Sequence, residues 1–323
     1  MVHLILLNWN GWKDTLHCLE SVFRSDYQDF RVVVCDNCST DGSLEKIKAW
    51  AEGKSEVEKN LSEELNPLVF PAVEKPIAYA EYQRAEAEAG GDEKDKDIPL
   101  VLIQNGSNDG YAAGNNVGIR YALKKDTDYI WLLNNDTVVK ANTLKELVYR
   151  VHSEEDIGVL GAVIYFASKP SKIQTYGGGK IAPVIGLDSF IHSPGSIDYV
   201  CGTSLFIKRE VFEQVGMLDE KFFFYWEDVD FSQRALKKGW KLGVAANAEV
   251  YHKFSTAVEV QSLRSDLFKA ASLVRYFKKH QGIRWIFPVA FNVSGMILNR
   301  LFRGQSNRVK PIVKATFKAI RAR

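Results

Sequence analysis

Apolar runs and polar breaks alternate through the first half of the chain. Residues 2–7 form a strand-like apolar run, followed by the turn-prone Asn8-Trp9-Asn10-Gly11. A helical pattern then places Leu16, Leu19, Val22 and Phe23 on one side. A second run, residues 30–35, ends in the polar stretch Asp36-Asn37-Cys38-Ser39-Thr40-Asp41-Gly42-Ser43, with Ser43 placed to cap a helix continuing through Leu44 and Ile47. Residues 100–103 and 129–133 repeat the pattern, each running into a polar loop. Continuous apolar strands separated by helices predict a mainly parallel sheet covered on both faces.

The second half predicts a strand over 157–166, a glycine-rich loop at Gly177-Gly178-Gly179, a strand over 199–207 and a helix over 209–215. An aromatic block, 222–226, meets Glu227-Asp228-Val229-Asp230, and a helix is expected over 231–239. Short strands are expected at 242–245 and 249–251, just before His252. From Ser262 onward the pattern is helical, basic and aromatic.

Composition narrows the class. The chain has 323 residues, 42 Lys and Arg against 40 Asp and Glu, and four cysteines, too few for a disulfide scaffold. With no signal peptide ahead of the first strand, a cytoplasmic setting is expected. No apolar run reaches the roughly 20 residues that span a bilayer. Collagen-like, disordered, disulfide-knot and polytopic membrane classes are excluded. Residues 51–99 hold 13 acids and six bases and read as a solvated acidic insertion with some helix. From residue 261 onward, 14 bases face a single acid, Asp266. A basic tail rich in Phe, Trp and Ile suits a helix lying at an anionic membrane surface; a helical subdomain packed on the core, or a dimer contact, is the alternative. No nucleic-acid-binding motif accompanies it.

Ligands of open parallel sheets gather beyond the carboxyl ends of the strands. Polar clusters lie there at 8–10, 36–41, 105–116 and 134–136. Asn134-Asn135-Asp136 offers a carboxylate for a hard divalent cation whose remaining ligands a diphosphate could supply; an Asx turn capping a helix near Ala141 is the other reading. The glycines of Asn108-Asp109-Gly110-Tyr111-Ala112-Ala113-Gly114-Asn115-Asn116 allow a ligand to approach the backbone closely. Neither a Walker loop nor a G-x-G-x-x-G fingerprint is present, which argues against kinases and dehydrogenases. Glu227, Asp228 and Asp230 crowd one short stretch. Like charges so close raise at least one pKa, which suits a general base, although helix-starting acids paired with Arg234 give the same pattern. His252 is a possible metal ligand or a structural histidine. Cys35 and Cys38, without a second such pair, read as structural.

These stretches together resemble the inverting glycosyltransferases of family 2 and, within them, a bacterial rhamnosyltransferase-like branch. The matching segments are LLNWNG (6–11), VVVCDNCSTDGS (32–43), NDGYAAGNNVG (108–118), WLLNNDTVV (131–139), VCGTSLFIKREVFEQVGMLDEKFF (200–223), YWEDVDFSQR (225–234) and VYHKFS (250–255). The resemblance implies a GT-A-type fold, α/β with a Rossmann-like mainly parallel sheet. The catalytic domain is expected over 1–260, interrupted by the insertion, and a basic amphipathic helical tail over 261–323.

It further implies that Asp36 hydrogen-bonds the nucleotide base, with Asn8, Asn10, Asn37 and Asp41 nearby. Asn108, Gly110, Tyr111, Gly114 and Asn115 would close on the nucleoside and diphosphate. Asn134, Asn135 and Asp136 fall at the family's metal motif, where Asp136 and His252 would hold Mg²⁺ or Mn²⁺. Asp228 falls at the catalytic base; Gly202, Thr203, Trp226 and Glu227 would line the acceptor side, with Asp230 and Arg234 in support. The expected donor is a nucleotide-diphosphate sugar, with dTDP-L-rhamnose favoured over UDP-hexoses, UDP-N-acetylhexosamines and UDP-galactofuranose. The expected acceptor is a glycan or polyprenyl-linked glycan of a bacterial surface polysaccharide, met at the inner face of the plasma membrane. A non-catalytic nucleotide-sugar or glycan-binding protein of the same fold is the rival from another class. A sugar nucleotidyltransferase would need a basic glycine-rich loop where this chain has Asn8-Trp9-Asn10.

Overall fold

The computed structural model describes residues 1–254 and 262–322. Ser255 of the last matching segment and the expected boundary between 260 and 261 lie outside the described residues. In chain order the elements are β1 (Val2–Asn8), α1 (Trp12–Val22), β2 (Phe30–Asp36), α2 (Ser43–Ala51), β3 (Tyr79–Gln83), α3 (Arg84–Ala89), β4 (Leu100–Gln104) and α4 (Tyr111–Leu123). There follow β5 (Tyr129–Asn134), β6 (Thr137–Val139), α5 (Thr143–His152), β7 (Ile157–Phe166), β8 (Lys169–Tyr176), β9 (Gly178–Ala182), β10 (Leu187–Phe190) and β11 (Tyr199–Val200). The chain ends with β12 (Ser204–Lys208), α6 (Arg209–Val215), α7 (Glu227–Lys237), β13 (Lys241–His252), α8 (Leu263–Gln281), α9 (Ile286–Phe302) and α10 (Val309–Arg321).

The main sheet runs β3-β4-β2-β1-β5-β12-β7-β13-β6, with β8 pairing on β7. Its first half is parallel: β1 lies between β2 and β5, and β4 between β2 and β3. The second half is mixed, because β12 runs antiparallel between β5 and β7. Alternation explains how it is covered. Leu4 and Leu6 of β1, Val32 and Val34 of β2 and Leu100 and Leu102 of β4 face Leu16, Leu19 and Trp50 of α1 and α2. Ile5, Val33, Cys35, Val101 and Ile103 face the other way, toward Val117, Ile119 and Tyr121 of α4. Each strand is buried on both faces, the condition that makes parallel strands continuously apolar.

Several expectations change. Residues 51–99 supply β3, the edge strand, and bury Val57, Leu65, Val69 and Ala87. Buried Glu20 anchors the segment by accepting from Lys75 Nζ at 2.6 Å and from the Val73 amide at 2.7 Å. The segment's charge is therefore the polar side of a packed piece of the domain. Gly177 turns through φ +80° straight into β9, whose first two residues are glycines because a Cβ at 178 or 179 would collide with Tyr199. The strand expected over 199–207 is divided into β11 and β12 by the turn Cys201-Gly202-Thr203. The two short strands before His252 are one strand, β13, with an irregularity between Ala245 and Glu249. Ser43 is the first residue of α2 rather than its cap; Asp41 Oδ1 accepts its amide at 3.0 Å. β6 intervenes after Asp136, so the 134–136 segment does not cap α5, which follows Asn142.

The tail packs as helices α8, α9 and α10 around a third apolar cluster. Leu273, Val274, Tyr276, Phe277, Val289 and Ile312 meet Tyr199, Phe222, Trp226 and Val229 from the preceding part of the chain. The helical stretch Leu263–Phe302, 40 residues, contains an 18-residue window of mean hydropathy 1.2. By length and composition alone it could cross a membrane, unlike the shorter run read from the sequence; 22% of the window is buried.

Candidate active site

A cavity of about 810 Å³ opens where the loops after β1, β2, β4 and β5 meet α7 and the tail helices. Trp9, Asn10, Asn37, Asn108, Gly110, Tyr111, Asn134, Asn135 and Asp136 line one part of it. Gly202, Thr203, Trp226, Glu227, Asp228 and His252 line the same cavity. Trp9 and His252, 243 positions apart in sequence, thus converge because parallel strands all deliver their following loops to one sheet edge.

The remaining residues expected here lie behind the wall. Buried Asn8 donates to Asp36 Oδ1 at 2.6 Å, and Asp36 also accepts the Ser39 amide at 2.9 Å and the Ser39 hydroxyl at 2.6 Å. This network fixes the loop after β2, and Asn10 joins it by accepting the Thr40 amide at 2.7 Å. Asp41 is spent on α2. Asn115 donates to the Tyr111 carbonyl one turn earlier, at 2.9 Å. Gly114 faces the sheet, not the cavity: a Cβ there would sit 2.5 Å from Leu7 Cδ1 and 2.6 Å from Asn37 Oδ1. Its missing side chain lets α4 approach β1 and β2. Gly110, at φ +97°, lets the loop meet Phe223, whose carbonyl accepts the Tyr111 amide at 2.7 Å.

Asp136 and His252 come together across the β6–β13 pair, where His252 is registered with Thr137. His252 Nε2 lies 3.1 Å from Asp136 Oδ1, and Nδ1 lies 3.0 Å from Gln174 Oε1. With Gln174 accepting the Nδ1 proton, Nε2 presents its lone pair beside the carboxylate, as a metal-binding imidazole does. Asn134 Oδ1 is buried without a hydrogen-bond partner among the described residues. A carboxylate, an imidazole and an orphaned amide oxygen fit a divalent cation whose coordination an incoming diphosphate completes. No group of three or more His, Cys, Asp or Glu side chains forms a self-sufficient metal cage among the described residues. Gln174 carried no motif in the sequence; only the pairing of β8 on β7 brings it here.

Opposite stands the start of α7. Tyr225 and Trp226 adopt left-handed φ values of 69° and 71°. Conformations of this kind cost of order 1 kcal/mol each for side-chain-bearing residues and persist where the surroundings impose them. Packing imposes them here: the Trp226 ring lies 4.7 Å from that of Tyr276 and 5.5 Å from that of Phe277. The result is an abrupt turn that sets Glu227 and Asp228 in the first turn of α7. Asp228 Oδ2 accepts the Gly202 amide at 2.8 Å, and a side chain on residue 202 would crowd it. Burial pushes the Asp228 carboxyl up to about 6, against the lowering effect of the Gly202 and Val229 amides. Glu227 is raised well above the usual carboxylate range, first by burial and then by Asp228 beside it, and its Oε2 has no partner among the described residues. One carboxylate is thus poised to exchange a proton near neutrality beside a neighbour whose charged form burial disfavours.

Arg234 does not touch this pair. It donates to Asp230 Oδ2 at 2.8 Å and to the carbonyls of Val215 and Met217. Asp230, fully buried, also receives His280 Nε2 at 2.8 Å and Lys279 Nζ at 2.8 Å. Burial alone would raise Asp230; His280, Arg234 and Lys279 outweigh it and hold the carboxyl at about 2. The cluster locks α7 to α8.

Comparison with known proteins agrees with this architecture. The sequence model of glycosyl transferase family group 2 matches residues 129–314, and that of glycosyl transferase family 2 matches residues 4–61. The low-salt glycan biosynthesis hexosyltransferase Agl10 of Haloferax volcanii is 25% identical over 69% of this chain and 76% of its own length. The dTDP-rhamnosyl transferase RfbF of Shigella flexneri is 29% identical over 49% of this chain and 55% of its own length. Among solved structures, the mannosyltransferase PcManGT of Pyrobaculum calidifontis, in complex with GDP-Man and Mn²⁺, superposes with a TM-score of 0.55 at 14% identity. That alignment covers 99% of this chain and 87% of the other. The fold is GT-A, and the chain belongs to the family 2 glycosyltransferases.

Proposed function

We propose that the protein transfers a sugar, with inversion, from a nucleotide diphosphate to an acceptor hydroxyl. The supporting observation is that Asp136, His252 and Asp228 line one cavity. Asn37, Asn108, Tyr111 and the loop after β1 form the donor end, and Asp136 and His252 are the groups that hold Mg²⁺ or Mn²⁺ at its diphosphate. Such an ion neutralises charge on the departing diphosphate. Asp228 accepts the acceptor hydroxyl's proton as the oxygen–anomeric carbon bond forms and the anomeric carbon–phosphate oxygen bond breaks. A single base facing the leaving group favours one in-line displacement. Glu227, whose Oε2 has no partner among the described residues, is available to hydrogen-bond the acceptor, beside Trp226, Gly202 and Thr203.

dTDP-L-rhamnose is the favoured donor, supported by the branch resemblance and by the similarity to a relative named as a dTDP-rhamnosyl transferase. The proposed acceptor is a glycan of a bacterial surface polysaccharide on a polyprenyl carrier, met at the cytoplasmic face of the membrane. Exposed apolar side chains on α9 and the basic tail support that peripheral contact with anionic lipid. A panel of nucleotide sugars tested by thermal shift, with Mn²⁺ and with excess chelator, checks the donor end. A ligand that binds only the folded protein raises its melting temperature. dTDP-L-rhamnose with Mn²⁺ is expected to give the largest rise, cut back by chelator. A panel with no metal-dependent rise contradicts the proposal.

A further inference from the structure

Beyond Asp228 the cavity continues between the tail helices and a separate three-stranded sheet, β10-β9-β11, where Phe190, Lys269, Leu273, Asn292 and Met296 line it. The Lys269 ammonium lies 4.9 Å from the centre of the Tyr225 ring. Among the described residues no carboxylate forms an ion pair with it. Asp266, on the preceding turn, is already engaged by Arg300 at 2.6 Å and Arg308 at 3.5 Å. Burial lowers the Lys269 pKa, against the opposing pull of Asp266 and Asp188. Asp188, which accepts the Tyr199 hydroxyl at 3.3 Å, lines the same cavity without forming an ion pair with Lys269, so the half-buried ammonium has room for an anion in direct contact.

The same wall leads outward. Asn292 and Met296 belong to α9, whose other side exposes Phe287, Phe291, Leu298 and Leu301, Phe287 to 73%. The β9–β10 hairpin is fastened beside it, with Asn292 Nδ2 donating to the Gly186 carbonyl at 2.7 Å, and it exposes Val184 and Leu187. An apolar face of this size within a segment of 14 bases and one acid suits an anionic lipid surface.

We propose that Lys269 binds the phosphate of a lipid-phosphate-linked acceptor whose hydrocarbon chain leaves the cavity toward the exposed apolar face of α9. This rests on the glycosyltransferase reading and assigns the acceptor end of the same cavity. The phosphate fixes how far the carrier enters, so that the sugar beyond it reaches Asp228. Trp9 and Trp226 line the cavity and report occupancy by fluorescence.

Farnesyl diphosphate and farnesol, titrated into the full chain, separate the phosphate from the lipid, and dTDP reads the donor end. Wild type is expected to bind farnesyl diphosphate about tenfold more tightly than farnesol, the usual scale of one charge-assisted contact. Lys269→Met erases that preference, Lys269→Arg keeps it, and dTDP affinity stays the same in all three. Equal affinity for the two farnesyl compounds in wild type overturns the assignment. So does parallel loss of dTDP binding in Lys269→Met, which would place the ammonium on the donor diphosphate. Failure of wild type to bind dTDP or UDP is a separate result, counting against the donor reading, and leaves the farnesyl contrast to judge Lys269 by itself.

Discussion

Asp228 gains its chemistry from burial, and that has a cost in stability. Its folded pKa, about 6, stands above its ordinary value of 3.8, so the unfolded chain releases this proton at lower pH than the folded one. Below pH 4 both states are protonated. Stability is then lost as pH rises toward 6 and stays lost above it. At pH 7 the ionised carboxylate therefore costs about 1–3 kcal/mol. Asp228→Asn, which retains an oxygen for the Gly202 amide, is expected to raise the melting temperature at pH 7.5 and to leave it nearly unchanged at pH 4. A variant less stable than wild type at pH 7.5 contradicts this account of the site.

At the scale of elements, α7 is held by what packs against it. Asp230 is buried beneath Arg234, Lys279 and His280, so its ionised state contributes stability at neutral pH and loses it as pH falls toward 2. Asp230→Ala removes the buried carboxylate that Arg234, Lys279 and His280 share and is expected to destabilise the fold by about 3–5 kcal/mol, measured by denaturant unfolding. A loss below 1 kcal/mol, on the scale of an exposed ion pair, contradicts the locking role given to the cluster. Much of the element order was legible: the strand over 157–166 and the helix over 209–215 stand where the apolar spacing places them. The misreadings share a cause. The turn at Cys201-Gly202-Thr203, the start of β9 at Gly178 and the paired edge strand β3 are set by partners distant in sequence. Periodicity within a short window does not contain them.

The same limit governs the site. Asp136, Asp228 and His252 were legible through the segments they sit in, whereas Gln174 and Lys269 occupy a strand and a helix with no signature of their own. Conversely, Asp36, Asp41 and Gly114 sit in segments that match the family yet are used by the fold, bracing the loop after β2, starting α2 and seating α4. At the scale of the whole molecule, the loops of the sheet line one part of the cavity and the tail supplies the far wall. The acidic body and basic tail meet through Trp226, Tyr276 and the Asp230 cluster. The tail thus forms part of the cavity wall, through Arg264, Lys269, Leu273, Asn292 and Met296.

The central claim is that Asp228 takes the acceptor's proton while other residues of the cavity hold the donor. It is tested most directly by measuring sugar transfer by wild type and Asp228→Asn alongside the affinity of each for the donor with Mn²⁺. Transfer is expected to fall by about 10²–10⁴-fold with donor affinity within about threefold of wild type. Transfer that persists near the wild-type rate, or that is lost only because the donor no longer binds, contradicts the role given to Asp228.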